Sequence, residues 1–338
     1  MNIIYIFRHP SKERSIERVF EPIMQRMKEA GHEVEACFAS AGSFWPFAML
    51  KNMVLFARLS RKTLCHITGD VQYVACFMKP ENTILTIHDL VSLHNEQTPW
   101  WMRKLVYWLW YYIPLKRLKH ITCISEMTRQ DLLSFFPWAE DKIRVVCNPV
   151  GEEFKASPMP EDYDYPKVLH IGTRSNKNLL RVIEAMKGIK ASLRIIGKLD
   201  AEQDALLKAS GIRYSNAFNL SDEEIVQEYQ SCDIVSFPSL FEGFGMPIIE
   251  AQAIGRPVLT SNREPMKTVA GGACVLVNPE SINSIHDGFV QLLFDMELQK
   301  NCIERGYENV KQYTSQAIAS SYMDVYHNMK SNNEGSIS

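Results

Sequence analysis

Residues 240–257 read LFEGFGMPIIEAQAIGRP and bring together the residue types that bind phosphate and hydroxyl groups. An apolar run, DIVSFPS, leads into a loop containing Gly243 and Gly245, and a helix begins near Pro247. Proline suits the first helical turn because its missing N–H would be unpaired there anyway. The two glycines let the backbone approach a ligand closely, while the free N–H groups and dipole of the helix start favour an anion. Glu242 sits in the loop and Glu250 eight positions on, in the helix, so the two carboxylates can grip different parts of one elongated ligand. A phosphate at the helix start, flanked by two acceptors for hydroxyls, describes a sugar nucleotide. A plain strand–loop–helix turn with solvated glutamates has the same spacing, and Gly-x-Gly alone does not separate the two.

A second cluster lies in ILTIHDL (84–90), where Thr86, His88 and Asp89 fall at the end of an apolar strand pattern. Open α/β sheets present ligand groups at such ends, although a lone histidine is more often structural. Ser125 and Glu126, in ITCISEMTRQDL (121–132), fall at another strand end. Ser125 serves equally well as a helix N-cap.

The elements that must position these groups alternate throughout the chain. Strand patterns cover 3–7, 33–38, 83–87, 120–124, 144–146, 167–171, 192–196, 234–238, 257–260 and 274–277. Helical patterns between them include 15–30, 128–135, 178–186, 222–231 and 247–253. This alternation predicts parallel sheets covered by helices on both faces. The stretch 151–166, GEEFKASPMPEDYDYP, is acidic, holds three prolines and shows no periodicity, as an interdomain linker would. Two doubly wound domains are expected, at 1–150 and 165–315. A terminal helix, 316–330, packs back on the body, and a polar tail frays from Ser331.

Composition excludes much else. At 338 residues, 46% hydrophobic and 22% charged, the chain is globular and long enough for two cores. A net charge of −2 gives no case for nucleic acid, but it hides an asymmetry. Residues 1–150 hold 19 Lys and Arg against 14 Asp and Glu, and the remainder 18 against 25. Eight scattered cysteines, without a CxxC pair, read as reduced thiols and give no metal site. The N-terminus lacks the basic and apolar regions of a signal peptide, and the longest apolar run, 105–115, is too short to span a bilayer. A cytoplasmic location is expected, extending to peripheral contact with the cytoplasmic membrane face.

The segment from Glu242 to Ala251, EGFGMPIIEA, resembles the E-x7-E signature of retaining family 4 glycosyltransferases, also described as glycosyl transferases group 1. SDEEIVQEYQSCDIVSFPS before it, and GRPVLTSN and VAGGACVLVNPES after it, are similar too, so the likeness covers most of 165–315. In the N-terminal half, ILTIHDL and ITCISEMTRQDL resemble the family's HD and ITVSE elements. The resemblance implies an α/β GT-B fold, two facing doubly wound Rossmann-like domains, the first for acceptor and the second for donor. It implies that Glu250 accepts hydrogen bonds from the donor ribose. Glu242 then lies near the transferred sugar among the N–H groups of Gly243, Phe244 and Gly245, and His88 faces that sugar across the cleft. HIGTRSNKNL (170–179) resembles the segment whose cations neutralise the diphosphate, with Arg174 and Lys177 as candidates. Its spacing is one residue shorter than the commonest family form. Where many members have a glycine-rich loop after the first strand, this chain has RHPSKERSIERVF, with Arg8, His9 and Ser15 as acceptor-side candidates.

Two further stretches are amphipathic and basic. PFAMLKNMVLFARLSRK (46–62) places Lys51, Arg58 and Lys62 on one helical stripe. WWMRKLVYWLWYYIPLKRLKH (100–120) holds four of the six tryptophans, with Trp100 and Trp101 beside Arg103 and Lys104. Such helices lie on anionic bilayers, or are simply buried when apolar all round.

The expected activity is retaining transfer of a sugar from a nucleotide-diphosphate sugar to a hydroxyl of a glycan acceptor, with a lipid-linked acceptor used in cell-envelope polysaccharide or glycolipid synthesis. Fixed cations stabilise the departing diphosphate without a metal or other cofactor. Alternatives are a nucleotide-sugar epimerase on the same fold, which needs an acid/base pair that the sequence does not supply, and a catalytically silent, membrane-docked partner subunit.

Overall fold

Strands apolar on both sides must be covered on both sides, and the computed structural model shows this arrangement twice. It describes residues 1–9, 15–40, 46–94, 98–160 and 165–334. Met1–Pro149 together with Ser315–Ser338 forms one compact unit, and Val150–Thr314 forms the other.

The first unit holds β1 (Asn2–Phe7), β2 (Glu33–Phe38), β3 (Leu64–Ile67), β4 (Thr83–Ile87), β5 (His120–Cys123) and β6 (Ile143–Val145). All pair in parallel, in the order β2-β1-β3-β4-β5-β6. Between them run α1 (Ser15–Glu29), α2 (Pro46–Ser60), α3 (Val91–His94), α4 (Trp100–Val106), α5 (Ile113–Arg117) and α6 (Glu126–Phe135). A π-helical turn, Tyr107–Tyr112, joins α4 to α5. The second unit holds β7 (Lys167–Ile171), β8 (Ser192–Ile196), β9 (Arg213–Ala217), β10 (Ile234–Phe237), β11 (Val258–Ser261) and β12 (Val275–Val277). Its parallel order is β12-β11-β10-β7-β8-β9. Its helices are α7 (Leu179–Met186), α8 (Ala201–Ser210), α9 (Asp222–Gln230), α10 (Met246–Ile254), α11 (Met266–Ala270), α12 (Ile282–Phe294) and α13 (Met296–Val310). The last helix, α14 (Ser315–Glu334), belongs to the first unit.

The period of two along β1 decides which core each side chain joins. Ile4 and Ile6 pack with Met49, Met53 and Phe56 of α2. Ile3, Tyr5 and Phe7 pack with Phe20 of α1 and with Tyr322 and Tyr326 of α14. A buried polar chain pins α14 to the sheet. The Tyr326 hydroxyl donates to the Tyr5 hydroxyl at 3.0 Å and lies 2.7 Å from His66 Nδ1. His66 Nε2 lies 2.7 Å from Thr86 Oγ1, which is 2.7 Å from Thr122 Oγ1 and 3.3 Å from the Tyr322 hydroxyl.

Two strands have no counterpart in the sequence analysis. β3, LCHI, is four residues with a histidine inside it, fully buried only because that histidine is bonded at both nitrogens. β9, RYSNA, is a polar edge strand with no fully buried residue, so it shows little apolar periodicity. The described part of the expected linker, 151–160, is bonded into the second unit, with the Ser157 amide donating to the Ile254 carbonyl at 3.0 Å; residues 161–164 lie outside the described residues. Ser331–Glu334 continue α14 instead of fraying, and 335–338 lie outside the described residues.

In each sheet the chain starts near the middle, builds outward on one side, and returns to build the other. The reversal falls between β1 and β3 in the first sheet and between β7 and β10 in the second. Ligand groups collect beyond the carboxyl ends of strands at such points.

Candidate active site

At the second reversal, the loops after β7 and β10 are tied together by side chains. Gly172, at φ +94°, opens the first loop, and a Cβ there would meet Lys177 Cγ at 2.8 Å. Only glycine accommodates both the backbone angle and the lysine stem folded over it. Residues 175–177 form a 3-10 turn that ends at Asn178 in the left-handed region, φ +66°. The buried Asn178 amide donates to the Pro238 carbonyl at 3.0 Å and the Pro279 carbonyl at 2.7 Å. The Asn176 amide donates to the Phe241 carbonyl at 2.9 Å and to Glu242 Oε1 at 3.2 Å.

These clamps bring the Lys177 ammonium within 2.7 Å of Glu242 Oε1, both side chains mostly shielded from solvent. The same ammonium lies 4.7 Å from the centre of the Phe237 ring. Arg174 is exposed in the same loop and makes no side-chain hydrogen bond or ion pair among the described residues. Beneath them His170 is fully buried on β7, and burial, with the Lys177 charge nearby, pushes it down to about 3.

Gly245, at φ +112°, caps α10 and permits the turn that Phe244 closes by burying its ring against Tyr313, 5.8 Å away. Pro247 lies in the first turn of α10, where its missing N–H costs nothing. Glu250 lies further along α10, and its Oε2 accepts from the Tyr229 hydroxyl at 2.5 Å. Thus Lys177, Glu242, Gly243, Phe244, Gly245 and Glu250 belong to one loop-and-helix assembly.

At the first reversal, His88 follows β4, and its Nε2–H donates to the Thr68 carbonyl at 2.7 Å. Burial holds its pKa below the ordinary imidazole value. Gly69 lets the imidazole lie close, since a Cβ there would stand 2.8 Å from His88 Cδ2. Arg8, just after β1, bonds Asp70 Oδ2 at 2.7 Å. His9 and Ser15 are exposed on either side of residues 10–14, which lie outside the described residues. Thr86 turns inward to the buried chain with His66. Asp89 accepts from the Val91 amide at the start of α3. Ser125 caps α6, accepting from the Thr128 amide at 3.0 Å, and Glu126 pairs with Arg129.

Sequence reasoning missed Asn176, Asn178, Tyr229 and Glu17. The asparagine–lysine–asparagine run carried a readable signal, because asparagine tolerates the left-handed backbone that a tight turn needs. Glu17 carried none. It lies in the first turn of α1, 3% exposed, with neither carboxylate oxygen hydrogen-bonded among the described residues and Arg8 Nε 4.0 Å away.

The basic amphipathic stretches divide between core and surface. α2 buries Met49, Met53 and Phe56, yet exposes Phe47 (86%), Leu50 (52%), Val54 and Leu55 beside exposed Lys51 and Arg58. Lys62 is exposed but lies past the end of α2, so the expected three-residue stripe is shortened to Lys51 and Arg58. In α4, Trp100 and Trp101 are exposed with Arg103 and Lys104, and the Lys104 ammonium lies 5.0 Å over the Trp100 ring. Trp110 and Tyr111 of the following turn are buried. No described helix is long and apolar enough to cross a membrane. Among the described residues no three His, Cys, Asp or Glu side chains are grouped to hold a metal ion.

Two family models meet near the boundary between the units. One, described as glycosyl transferases group 1, matches residues 152–309, and the other, glycosyltransferase family 4, matches residues 64–154. Residues 152–309 form a domain of the group 1 glycosyltransferases. The chain is 24% identical over 279 residues to the serotype-specific mannosyltransferase WbdA of Escherichia coli, across 69% of this chain and 33% of WbdA. It is 24% identical over 276 residues to the O-antigen chain mannosyltransferase B of Escherichia coli, across 73% of this chain and 70% of that one. The chain therefore spans about a third of the length of WbdA. Among solved structures, a glycosyltransferase from Rickettsia africae matches at a TM-score of 0.76 and 21% identity, over 98% of this chain and 100% of that one. Anabaena HepE in complex with UDP-glucose matches at 0.73 and 15%, over 97% and 100%. At these identities the likeness establishes the fold, which is GT-B.

Proposed function

We propose that this chain moves a sugar, with retention, from a nucleotide-diphosphate sugar to a hydroxyl of a glycan acceptor. The observation that carries the reading is the contact between Lys177 and Glu242 at the start of α10, with Glu250 further along the same helix. In this reading Glu250 accepts from the ribose hydroxyls, and the start of α10 faces the diphosphate. Lys177 and Arg174 neutralise the charge that builds on the diphosphate as the bond from the anomeric carbon to phosphate oxygen breaks. Preorganised cations stabilise such charge without a metal. Glu242 contacts the transferred sugar, and His88 is the first unit's candidate for a part in the transfer. The acceptor oxygen bonds to the anomeric carbon, and its proton passes to the departing phosphate oxygen, so no protein base is needed. Acceptor binding is assigned to the first unit, with Arg8, His9 and Ser15 as its candidates.

The exposed apolar face of α2, with Lys51 and Arg58, and the Trp100, Trp101, Arg103 and Lys104 cluster of α4 support docking on an anionic bilayer. Apolar side chains enter the headgroup region while lysine and arginine meet lipid phosphates. A lipid-linked glycan acceptor, used in envelope polysaccharide synthesis at the cytoplasmic membrane face, follows. The O-antigen activity of the second curated relative favours the same class.

Calorimetric titration with UDP, GDP and ADP, without metal and then with magnesium, tests the donor half. Saturable, metal-indifferent binding of one nucleotide is expected. Incubating the matching sugar nucleotide without acceptor should give only slow hydrolysis. Accumulation of an epimer would overturn the transferase reading.

A further inference from the structure

Glu250 does not hang freely from α10. The Tyr229 hydroxyl donates to its Oε2 at 2.5 Å from the last turn of α9. Tyr229 is fully buried, with its ring packed edge-on against Phe154 at 5.4 Å. Burial and the adjacent carboxylate raise its pKa well above the ordinary phenol value, so it stays a donor.

Arg256 holds Tyr229 in turn. It is 1% exposed, the largest fully buried side chain, and it forms no ion pair with any described carboxylate. Its guanidinium is spent on backbone carbonyls. Nε donates to Tyr229 O at 3.1 Å, and the Nη atoms donate to Gln230 O and Pro158 O at 2.7 Å and to Ser157 O at 3.0 Å. Longer bonds reach Ile254 O and Gly255 O, at 3.4 and 3.3 Å. The Tyr229, Gln230, Ile254 and Gly255 carbonyls close the C-terminal ends of α9 and α10, the helices that carry Tyr229 and Glu250. The negative ends of two helix dipoles and the orphan carbonyls there give the buried cation its partners. The planar fork of arginine presents more donors than an ammonium, in a fixed plane, to carbonyls from three segments.

We propose that Tyr229 is a positioning residue for nucleotide recognition: it fixes the Glu250 carboxylate for the ribose hydroxyls, and Arg256 locks the two helix ends that set the distance between them. The inference rests on the reading of Glu250 as the ribose acceptor. A carboxylate held in one rotamer meets the hydroxyls without the ordering cost that a mobile one incurs on binding. Discrimination between ribose and deoxyribose is therefore built into the α9–α10 frame as well as into Glu250 itself.

The test is calorimetry on the full chain with the nucleoside diphosphate that binds, among UDP, GDP and ADP, and with its 2′-deoxy form. Because hydrogen bonds to charged groups are worth roughly 1.5–3 kcal/mol, the wild type should prefer the ribonucleotide by about 10- to 100-fold. Tyr229→Phe keeps the buried ring, and should weaken ribonucleotide binding about tenfold while weakening 2′-deoxy binding, which keeps only the 3′ hydroxyl, by distinctly less. A merely structural loss would weaken both alike. Arg256→Lys should lower the same ratio, with some loss of Tm. A wild-type ratio in Tyr229→Phe, alongside a collapsed ratio in Glu250→Gln, would overturn the positioning role and leave the ribose reading standing. An unchanged ratio in Glu250→Gln would overturn both.

Discussion

The Lys177 ammonium lies 2.7 Å from Glu242 Oε1, so the cation assigned to the donor diphosphate is neutralised by the carboxylate assigned to the transferred sugar. Donor binding must exchange this partner for phosphate. Glu242→Gln should therefore tighten binding of the bare nucleoside diphosphate several-fold while lowering turnover by at least tenfold, and Lys177→Met should weaken diphosphate binding about tenfold. Calorimetry and initial rates read both effects. Weaker diphosphate binding in Glu242→Gln would mean that the pair is a scaffold and not an exchangeable contact.

Glu17 offers an opposite trade. A buried carboxylate without hydrogen bonds among the described residues is held at a cost to folding, and one arginine nitrogen at 4.0 Å does little to offset it. Glu17→Met, similar in volume, should stabilise the protein by about 1 kcal/mol, a rise of about 2–4 °C in Tm, and should slow acceptor-dependent turnover. Stabilising substitutions that reduce activity mark residues kept for function. A drop in Tm of several degrees would show that Glu17 is structural.

Stability should fall with acid well before most carboxylates titrate. His66 and His170, one in each unit, are held neutral by burial and pushed down to about 3. An unfolded histidine titrates near 6.5, so between about 3 and 6.5 the unfolded chain binds more protons than the folded one. The stabilisation is whole above 6.5 and lost progressively below it, about 2 kcal/mol per histidine at pH 5. Thermal melts should show Tm declining from pH 7 to pH 5, and His170→Asn should reduce that slope. A flat profile over this range would contradict the buried neutral state.

Membrane docking has a direct test as well. Replacing Phe47 and Leu50 with serine, or Lys51 and Arg58 with glutamate, should abolish flotation with phosphatidylglycerol-containing liposomes. Each face residue is exposed, so Tm should change little. Unchanged flotation in both variants would exclude α2 as the docking surface.

The loop before α10 was legible because its residue pattern is local. Glycine, proline and two glutamates at fixed spacing encode a turn, a helix start and two acceptors within a dozen residues. The alternation of apolar strands with helices likewise announced both sheets. Tyr229 and Arg256 were not legible, since their roles depend on the end of α9 meeting the end of α10, a contact between segments 26 residues apart or more. β9 and β3 were hidden for related reasons, one polar because it is an edge, the other interrupted by a histidine whose partners lie on α14 and β4. The stretch 100–120 gave an average of two environments, since Trp100 faces solvent and Trp110 the core.

The tyrosines that α14 inserts against β1 and β3 also dictate an order of events during synthesis. The second unit is continuous in sequence and can fold as soon as residue 314 has emerged. The first unit cannot. Until Tyr322 and Tyr326 leave the ribosome, His66 Nδ1 and the Tyr5 hydroxyl lack the Tyr326 hydroxyl, and one face of the sheet lacks part of its cover. Most multidomain chains complete their N-terminal domain first; here the first unit finishes after the second, and the nascent chain must carry its open sheet through the making of everything between.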